Sequence, residues 1–241
     1  MEYGLAFHSL ERSEYSGKAN QKVYERVFDN LGFECKWCRT WENTNLKGIN
    51  SSGFLDEWKL EELRWKEKFF DDRRIHWQLC VGSFNQYPDR FFDKRLDTAV
   101  NQILDTVKPD LFEIANEPQK MWLGSCSSMA RVIKRHNQLA QYYIDRHEDS
   151  TLVISPYYKG EIYPDPELYK KFLGTMYDRH LYHWYKHSNL PEWIDQIGEA
   201  DYNLWQKKKY EDGFRHVQRI FYWVDKEYGI PTKDGKTWRV E

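Results

Sequence analysis

No apolar run in this 241-residue sequence approaches the roughly 20 residues that a membrane-spanning helix needs. It has no glycine- or serine-rich linker, no low-complexity tract and no short-period repeat. One domain over residues 1–241 is therefore expected. An excess of one charge is missing too: 36 Lys and Arg face 38 Asp and Glu, a net charge of -2. That balance gives no basis for a nucleic-acid partner or an acidic membrane surface. Cysteine is scarce, at four residues. Cys35 and Cys38 form a lone CxxC with no second pair or histidine cluster to match it. On a strand, residues three apart point to opposite faces, so this pair would not chelate one metal. Core thiols in a reducing compartment are the expectation. The N-terminus, MEYGLAFHSL, lacks the basic start and long apolar middle of a signal peptide. A cytoplasmic chain is expected as written, and a secreted one if a leader has been removed.

What is present is an alternation. Charged residues at 31% and a mean hydropathy of -0.88 predict a soluble globular chain. Residues 3–8 read as a first strand. Residues 20–31 carry Val23, Val27, Phe28 and Leu31 at helical spacing and stop at Gly32. Residues 33–41 form a second strand. A strongly helical run covers 55–72, its mixed charges read as a solvated face. A strand follows at 76–84, a helix at 90–107 with Phe91, Leu96, Val100, Ile103 and Leu104 inward, and a strand at 111–118. The second half repeats the rhythm: helices at 128–145, 165–173 and 204–215, and strands at 151–156, 176–182, 195–202 and 217–223. Eight strands alternating with helices predict a parallel sheet with helices outside, closed as a compact (β/α)8 TIM barrel. The tail after the eighth strand carries the turn signal Lys233-Asp234-Gly235 and is too short for a full helix, so the last helix is expected to be short or missing.

The stretch LFEIANEP, residues 111–118, is the centre of the pattern. It reads as a buried strand that stops on Asn116, Glu117 and Pro118. A carboxylate at the mouth of a buried strand is costly unless paired or used, and the proline ends the ladder. In a barrel of this kind, functional side chains gather at the C-terminal strand ends. Those ends hold Arg39 and Trp41, then Asn116 and Glu117. Next come His180 and Tyr182, with His183 and Tyr185 just beyond, then Glu199 and Asp201, and finally Trp223. Glu117 and Glu199 lie on the fourth and seventh strands, which face each other across one barrel mouth. Glycoside hydrolysis asks for such a pair: one carboxylic acid protonates the leaving oxygen, and a second carboxylate attacks or activates water. Two close carboxylates cannot both ionise freely, and an arginine beside one keeps it anionic. An amide can bind a sugar hydroxyl, and an indole face can stack on the sugar.

In these residues the chain resembles the retaining glycoside hydrolases of the large barrel superfamily, clan A, most closely the cellulase and mannanase type, family five. IANEP resembles that superfamily's Asn-Glu-Pro at the end of strand four. This implies that Glu117 is the acid/base and that Asn116 binds the sugar 2-hydroxyl. QIGEADY resembles the Gly-Glu ending of strand seven and implies that Glu199 is the nucleophile. CRTW resembles the strand-two arginine that supports the nucleophile, a role that falls on Arg39. RHLY resembles the strand-six His-x-Tyr, placed on His180 and Tyr182, with HWY (His183 and Tyr185) as a second match. FYWVDKEYGIPTKDGK resembles the strand-eight tryptophan and the turn after it, so Trp223 would floor the sugar site. The third strand departs from the pattern: it ends in VGSF, where many of these enzymes carry a histidine.

The resemblance implies a carbohydrate substrate with the β linkages of the family, and no metal and no cofactor. Two rival readings stay open at this point. One is a carbohydrate-binding barrel without catalysis. The other is a metal-dependent barrel hydrolase built on His180, Glu199 and Asp201, which lacks the usual His-x-His after strand one. Structural readings exist for each residue as well: an ion-pair partner for Glu199, a barrel-mouth salt bridge for Arg39, and ordinary core for Trp223. Most of the 11 Trp, 17 Tyr and 13 Phe are expected in the core, with Trp41, Trp122 and Tyr157 or Tyr158 as candidate sugar platforms.

Overall fold

The computed structural model describes residues 2–7, 18–42, 49–82, 84, 88–116, 121, 129–145, 151–155, 179–180, 182–184, 194–197, 219–224, 230–231, 233–234 and 237–238. Its first half follows the predicted alternation. In order come β1 (Glu2–Phe7), α1 (Lys18–Asn30), β2 (Trp37–Trp41), α2 (Glu57–Arg73) and β3 (His76–Cys80). Then come α3 (Pro88–Phe92), α4 (Arg95–Thr106), β4 (Leu111–Asn116), α5 (Met129–Ile144) and β5 (Thr151–Ser155). The remaining strands are β6 (Arg179–His180), β7 (Tyr182–Trp184), β8 (Ile194–Ile197) and β9 (Arg219–Val224), with β10 (Ile230–Pro231) and β11 (Thr237–Trp238) in the tail. The helices expected at 165–173 and 204–215 lie outside the described residues.

The nine strands β1–β9 form one sheet in the order β6-β5-β4-β3-β2-β1-β9-β8-β7, and every pairing is parallel. The two terminal strands of that order, β6 and β7, are separated in sequence by Leu181 alone. Together they stand where one strand was expected. Parallel neighbours need a crossover, and helices α1, α2, α4 and α5 each lie between two consecutive strands. β1 sits between β2 and β9, with Ala6 opposite Arg39 of β2 on one side and opposite Trp223 of β9 on the other.

Strands β2 and β4 are buried along their whole length, and β1 and β3 over their last four residues, which is why these segments read as near-continuous apolar runs. Leu5, Ala6 and Phe7, then Leu111, Phe112, Ile114 and Ala115, are all buried. Much of the aromatic content is core, as expected. Phe7 stacks on Tyr24 with ring centroids 4.2 Å apart, and Tyr24 meets Trp65, Phe69 and Phe70 edge-on. This cluster joins β1, α1 and α2. On α4, Leu96, Ala99, Val100, Ile103 and Leu104 are buried, the inward face that helical spacing predicts.

Two expectations change. The run 90–107 is two helices, broken at Asp93 and Lys94. The Asp93 carboxylate accepts from the Arg95 backbone N–H at 2.8 Å and from the Arg95 guanidinium at 2.7 Å. Aspartate competes with the helix for backbone donors, so it starts a new helix instead of continuing the old one. Helix α2 is the second correction, because its charges are not all on a solvated face. Lys59, Glu62 and Lys66 are buried. Lys66 Nζ donates to Glu42 Oε1 at 2.9 Å and lies 3.2 Å from Glu62 Oε1. Lys59 Nζ donates to the Glu42 carbonyl at 3.0 Å. Two acids and two bases thus neutralise one another between the end of β2 and the inner side of α2, where neither sign could be buried alone.

In the tail, β10 and β11 pair antiparallel around the predicted turn at Lys233 and Asp234. Lys233 docks this hairpin on the end of α1: its Nζ donates to the Asp29 carbonyl at 2.6 Å, and its backbone N–H donates to the Asn30 carbonyl at 3.0 Å. A lysine at helix C-terminal carbonyls satisfies orphan acceptors and complements the helix dipole.

Candidate active site

Strand β2 carries Arg39 at its midpoint with no exposed surface at all. A buried guanidinium needs acceptors for its N–H groups, and β4 supplies them. Arg39 Nε donates to Glu113 Oε2 at 2.8 Å, and Arg39 Nη2 donates to Glu113 Oε1 at 2.8 Å. This is a bidentate, charge-assisted pair. Arg39 Nη2 also donates to Asn116 Oδ1 at 2.9 Å. From β3, Gln78 Nε2 donates to Glu113 Oε2 at 3.0 Å. The Trp41 ring packs against the guanidinium, 4.6 Å from its carbon to the ring centroid.

Glu113 and Asn116 are three residues apart, so on a regular strand they would point to opposite faces. Both nevertheless meet one guanidinium. The ladder supplies the reason: from Glu113 to Asn116 β4 advances three residues, while its partner β5 advances two, from Val153 to Ser155. One extra residue in β4 resets the alternation, and a β-bulge is a recurrent device for re-aiming side chains beside active sites. The strand edge is secured on the other side by the Asn116 N–H, which donates to the Gly82 carbonyl at 2.9 Å. Asn116 is 5% exposed, whereas Arg39, Glu113 and Gln78 have no exposure. The amide thus forms the outermost point of a buried polar network.

Of the residues expected in the site, the structure brings together Arg39 and Asn116. Arg39 was expected beside Glu199; its carboxylate partner among the described residues is Glu113. Glu117 is the residue immediately after β4, and both Glu117 and Glu199 lie outside the described residues. The last described position before Glu199 is Ile197, which ends β8 and pairs with Tyr222. Trp223 stands in β9 opposite Ala6, so Arg39, Ala6 and Trp223 occupy one register row across three strands. His180 in β6 pairs with Ile154, and Tyr182 in β7 pairs with Ile194. His183 pairs with Gln196, after a register shift between Tyr182 and His183. Tyr185 lies outside the described residues. Trp41, read as a sugar platform, is the last residue of β2, is buried and packs on Arg39.

Glu113 and Gln78 are the members that motif reading missed. Both carried a signal: each is a polar side chain in the middle of an apolar strand, LFEIAN and HWQLC, where burial without a partner is costly. Beside them Cys80 is fully buried, and burial, with the adjacent Glu113 charge adding to it, pushes its thiol well above the usual range. Among the described residues no cluster of three or more His, Cys, Asp or Glu is placed to hold a metal ion.

No protein-family model matches the sequence, and no curated protein matches it. Solved structures do match the fold. A β-1,4-mannanase from the common sea hare Aplysia kurodai aligns with a TM-score of 0.60 at 11% identity, covering 92% of this chain and 88% of that one. A β-mannanase from the blue mussel Mytilus edulis aligns at 0.56 and 10% identity, covering 92% and 86%. A GH5-4 broad specificity endoglucanase from an uncultured bacterium aligns at 0.52 and 11% identity, covering 85% and 77%. The chain resembles these clan A glycoside hydrolases in fold.

Proposed function

We propose that the sheet closes as an eight-stranded β/α barrel through the β6–β7 segment, and that the chain is a retaining glycoside hydrolase acting on β-linked oligosaccharides or polysaccharides. One observation carries the reading. The bulge in β4 and the Arg39 clamp fix Asn116 at the strand exit, immediately before the Glu117-Pro118 that completes the Asn-Glu-Pro motif. A buried ion pair and a register shift spent on orienting one amide suit a site in which sub-ångström placement matters. The fold likeness to mannanases and an endoglucanase supports a β-mannan or β-glucan substrate.

In this mechanism Glu199 attacks the anomeric carbon while Glu117 protonates the departing oxygen. Glu117 then deprotonates the water that displaces the sugar from Glu199. Asn116 donates to the sugar 2-hydroxyl, a contact that strengthens as positive charge develops on the ring. His180, Tyr182 and Trp223 complete the sugar contacts, and no step requires a metal or cofactor. The test is a screen on mannan, glucan and xylan oligosaccharides with three proteins: wild type, Glu117→Gln and Glu199→Gln. Each substitution lowers kcat by at least about 10³-fold if the carboxylates have these roles. A variant close to the wild-type rate on a good substrate contradicts the assignment, and binding without cleavage by wild type points to a non-catalytic barrel.

A further inference from the structure

Glu113 lies within LFEIANEP but has no role in the motif reading, yet it is the residue on which the described network converges. Its two oxygens accept two hydrogen bonds from Arg39 and one from Gln78, at 2.8 to 3.0 Å, among their contacts. We infer that Glu113 is a positioning residue for the proposed site: it holds the Arg39 guanidinium, and through Arg39 it fixes which end of the Asn116 amide is left for a ligand.

The polarity of this chain follows from the chemistry of its members. An ionised carboxylate only accepts, and a guanidinium only donates. The Gln78 atom that faces Glu113 is therefore its nitrogen. The Asn116 atom that faces Arg39 Nη2 at 2.9 Å is therefore its oxygen. With Oδ1 engaged, Asn116 is left with its NH2 end, which makes no hydrogen bond to the described residues. It can serve an acceptor such as a sugar hydroxyl oxygen. An amide held by nothing presents either end, because the two orientations differ only by a half-turn of the side chain. Arg39 removes that choice, provided that Arg39 itself is fixed. A bidentate carboxylate fixes both the position and the plane of a guanidinium, which a single hydrogen bond does not. Gln78 in turn holds the carboxylate, and the Trp41 ring closes one side of the guanidinium. All three residues behind Asn116 are fully buried, so water cannot replace a missing member.

The inference uses the glycosidase reading for one readout and stands without it for the other. The kinetic readout compares kcat/KM for the preferred oligosaccharide and its 2-deoxy analogue, since Asn116 is the proposed partner of the 2-hydroxyl. Asn116→Ala lowers the ratio of the two by about tenfold, the worth of one well-placed hydrogen bond. Glu113→Gln lowers it by a similar factor, and the double variant lowers it no further. Glu113→Asp, which keeps the charge, recovers part of the ratio. Should Glu113→Gln not fold, Gln78→Met removes the hydrogen bond from Gln78 and leaves the ion pair; its effect has the same sign and is smaller.

The second readout needs no activity. The side-chain NH2 resonances of Asn116, assigned by their loss in Asn116→Ala, shift or broaden in Glu113→Gln and in Gln78→Met. If wild type cleaves nothing, the glycosidase reading fails while these resonances still decide the role of Glu113. A folded Glu113 variant that leaves them unmoved overturns the inference. So does one that slows both substrates equally and keeps their ratio.

Discussion

Replacing Lys66 by methionine keeps the length and apolar stem of the side chain and deletes its charge. The ammonium has no exposure and lies 2.9 Å from Glu42 and 3.2 Å from Glu62, both buried. Its loss leaves the two buried carboxylates short of one compensating charge, with Lys59 3.6 Å from Glu42 and 3.9 Å from Glu62. Breaking a buried pair from one side costs about 3–5 kcal/mol, because the surviving charge stays desolvated. For a chain of this length that corresponds to a fall in Tm on the order of 10 °C. Lys68 is the internal control. It sits two residues along the same helix and pairs with Asp72, but both side chains are well exposed, at 75% and 57%. Lys68→Met costs no more than about 0.5 kcal/mol, as expected of an exposed i,i+4 pair. Urea unfolding followed by circular dichroism, at one pH and ionic strength, compares the two variants with wild type. Similar small losses for both would refute the placement of Lys66, because that is how a lysine on a solvated face behaves.

Two further outcomes follow from single buried features. Burial holds His136 down to about 3, from an ordinary 6.5, so between these values the unfolded chain binds a proton that the folded chain excludes. Its contribution is fully present above pH 6.5 and falls by about 1.4 kcal/mol per pH unit below it, about 2.7 kcal/mol by pH 4.5. Urea midpoints at pH 7 and 4.5 should therefore diverge less for His136→Leu than for wild type, and an equal divergence would contradict the burial. Gly53 has φ +90°, and a Cβ there would lie 3.0 Å from the Arg95 backbone and from the Thr98 side chain. Gly53→Ala is expected to cost about 1–3 kcal/mol from backbone strain and crowding together, read as a lower Tm; an unchanged Tm would mean that the loop does not pack on α4.

What was legible in the sequence was whatever a local pattern determines. The strand-helix alternation over the first 116 residues, the inward face of α4 and the turn at Lys233 and Asp234 all follow from spacing and turn chemistry. The inner charges of α2 were not legible. Lys59, Glu62 and Lys66 have the i,i+3 and i,i+4 spacings of a solvated helix, and only Glu42, brought in from the end of β2, shows that they are enclosed. Arg39 was read as a site residue, but its partner Glu113 was not. Glu113 is 74 residues away in sequence, and no local rule selects it over other carboxylates. The bulge that turns Asn116 toward Arg39 is a property of the β4–β5 ladder and has no signature within LFEIAN itself. The same holds for the sixth strand, where His180 belongs to a strand paired with β5 and Tyr182 to one paired with β8.

The central claim is a double displacement by Glu117 and Glu199, and the anomer of the first product tests it most directly. Wild-type protein is mixed with a β-linked manno- or gluco-oligosaccharide, and the new reducing end is followed by proton NMR before mutarotation. The account predicts that the β-anomer appears first, because two inversions at one carbon restore its configuration. Initial release of the α-anomer would contradict it. Water would then attack directly, and Glu199 would be a general base rather than a nucleophile.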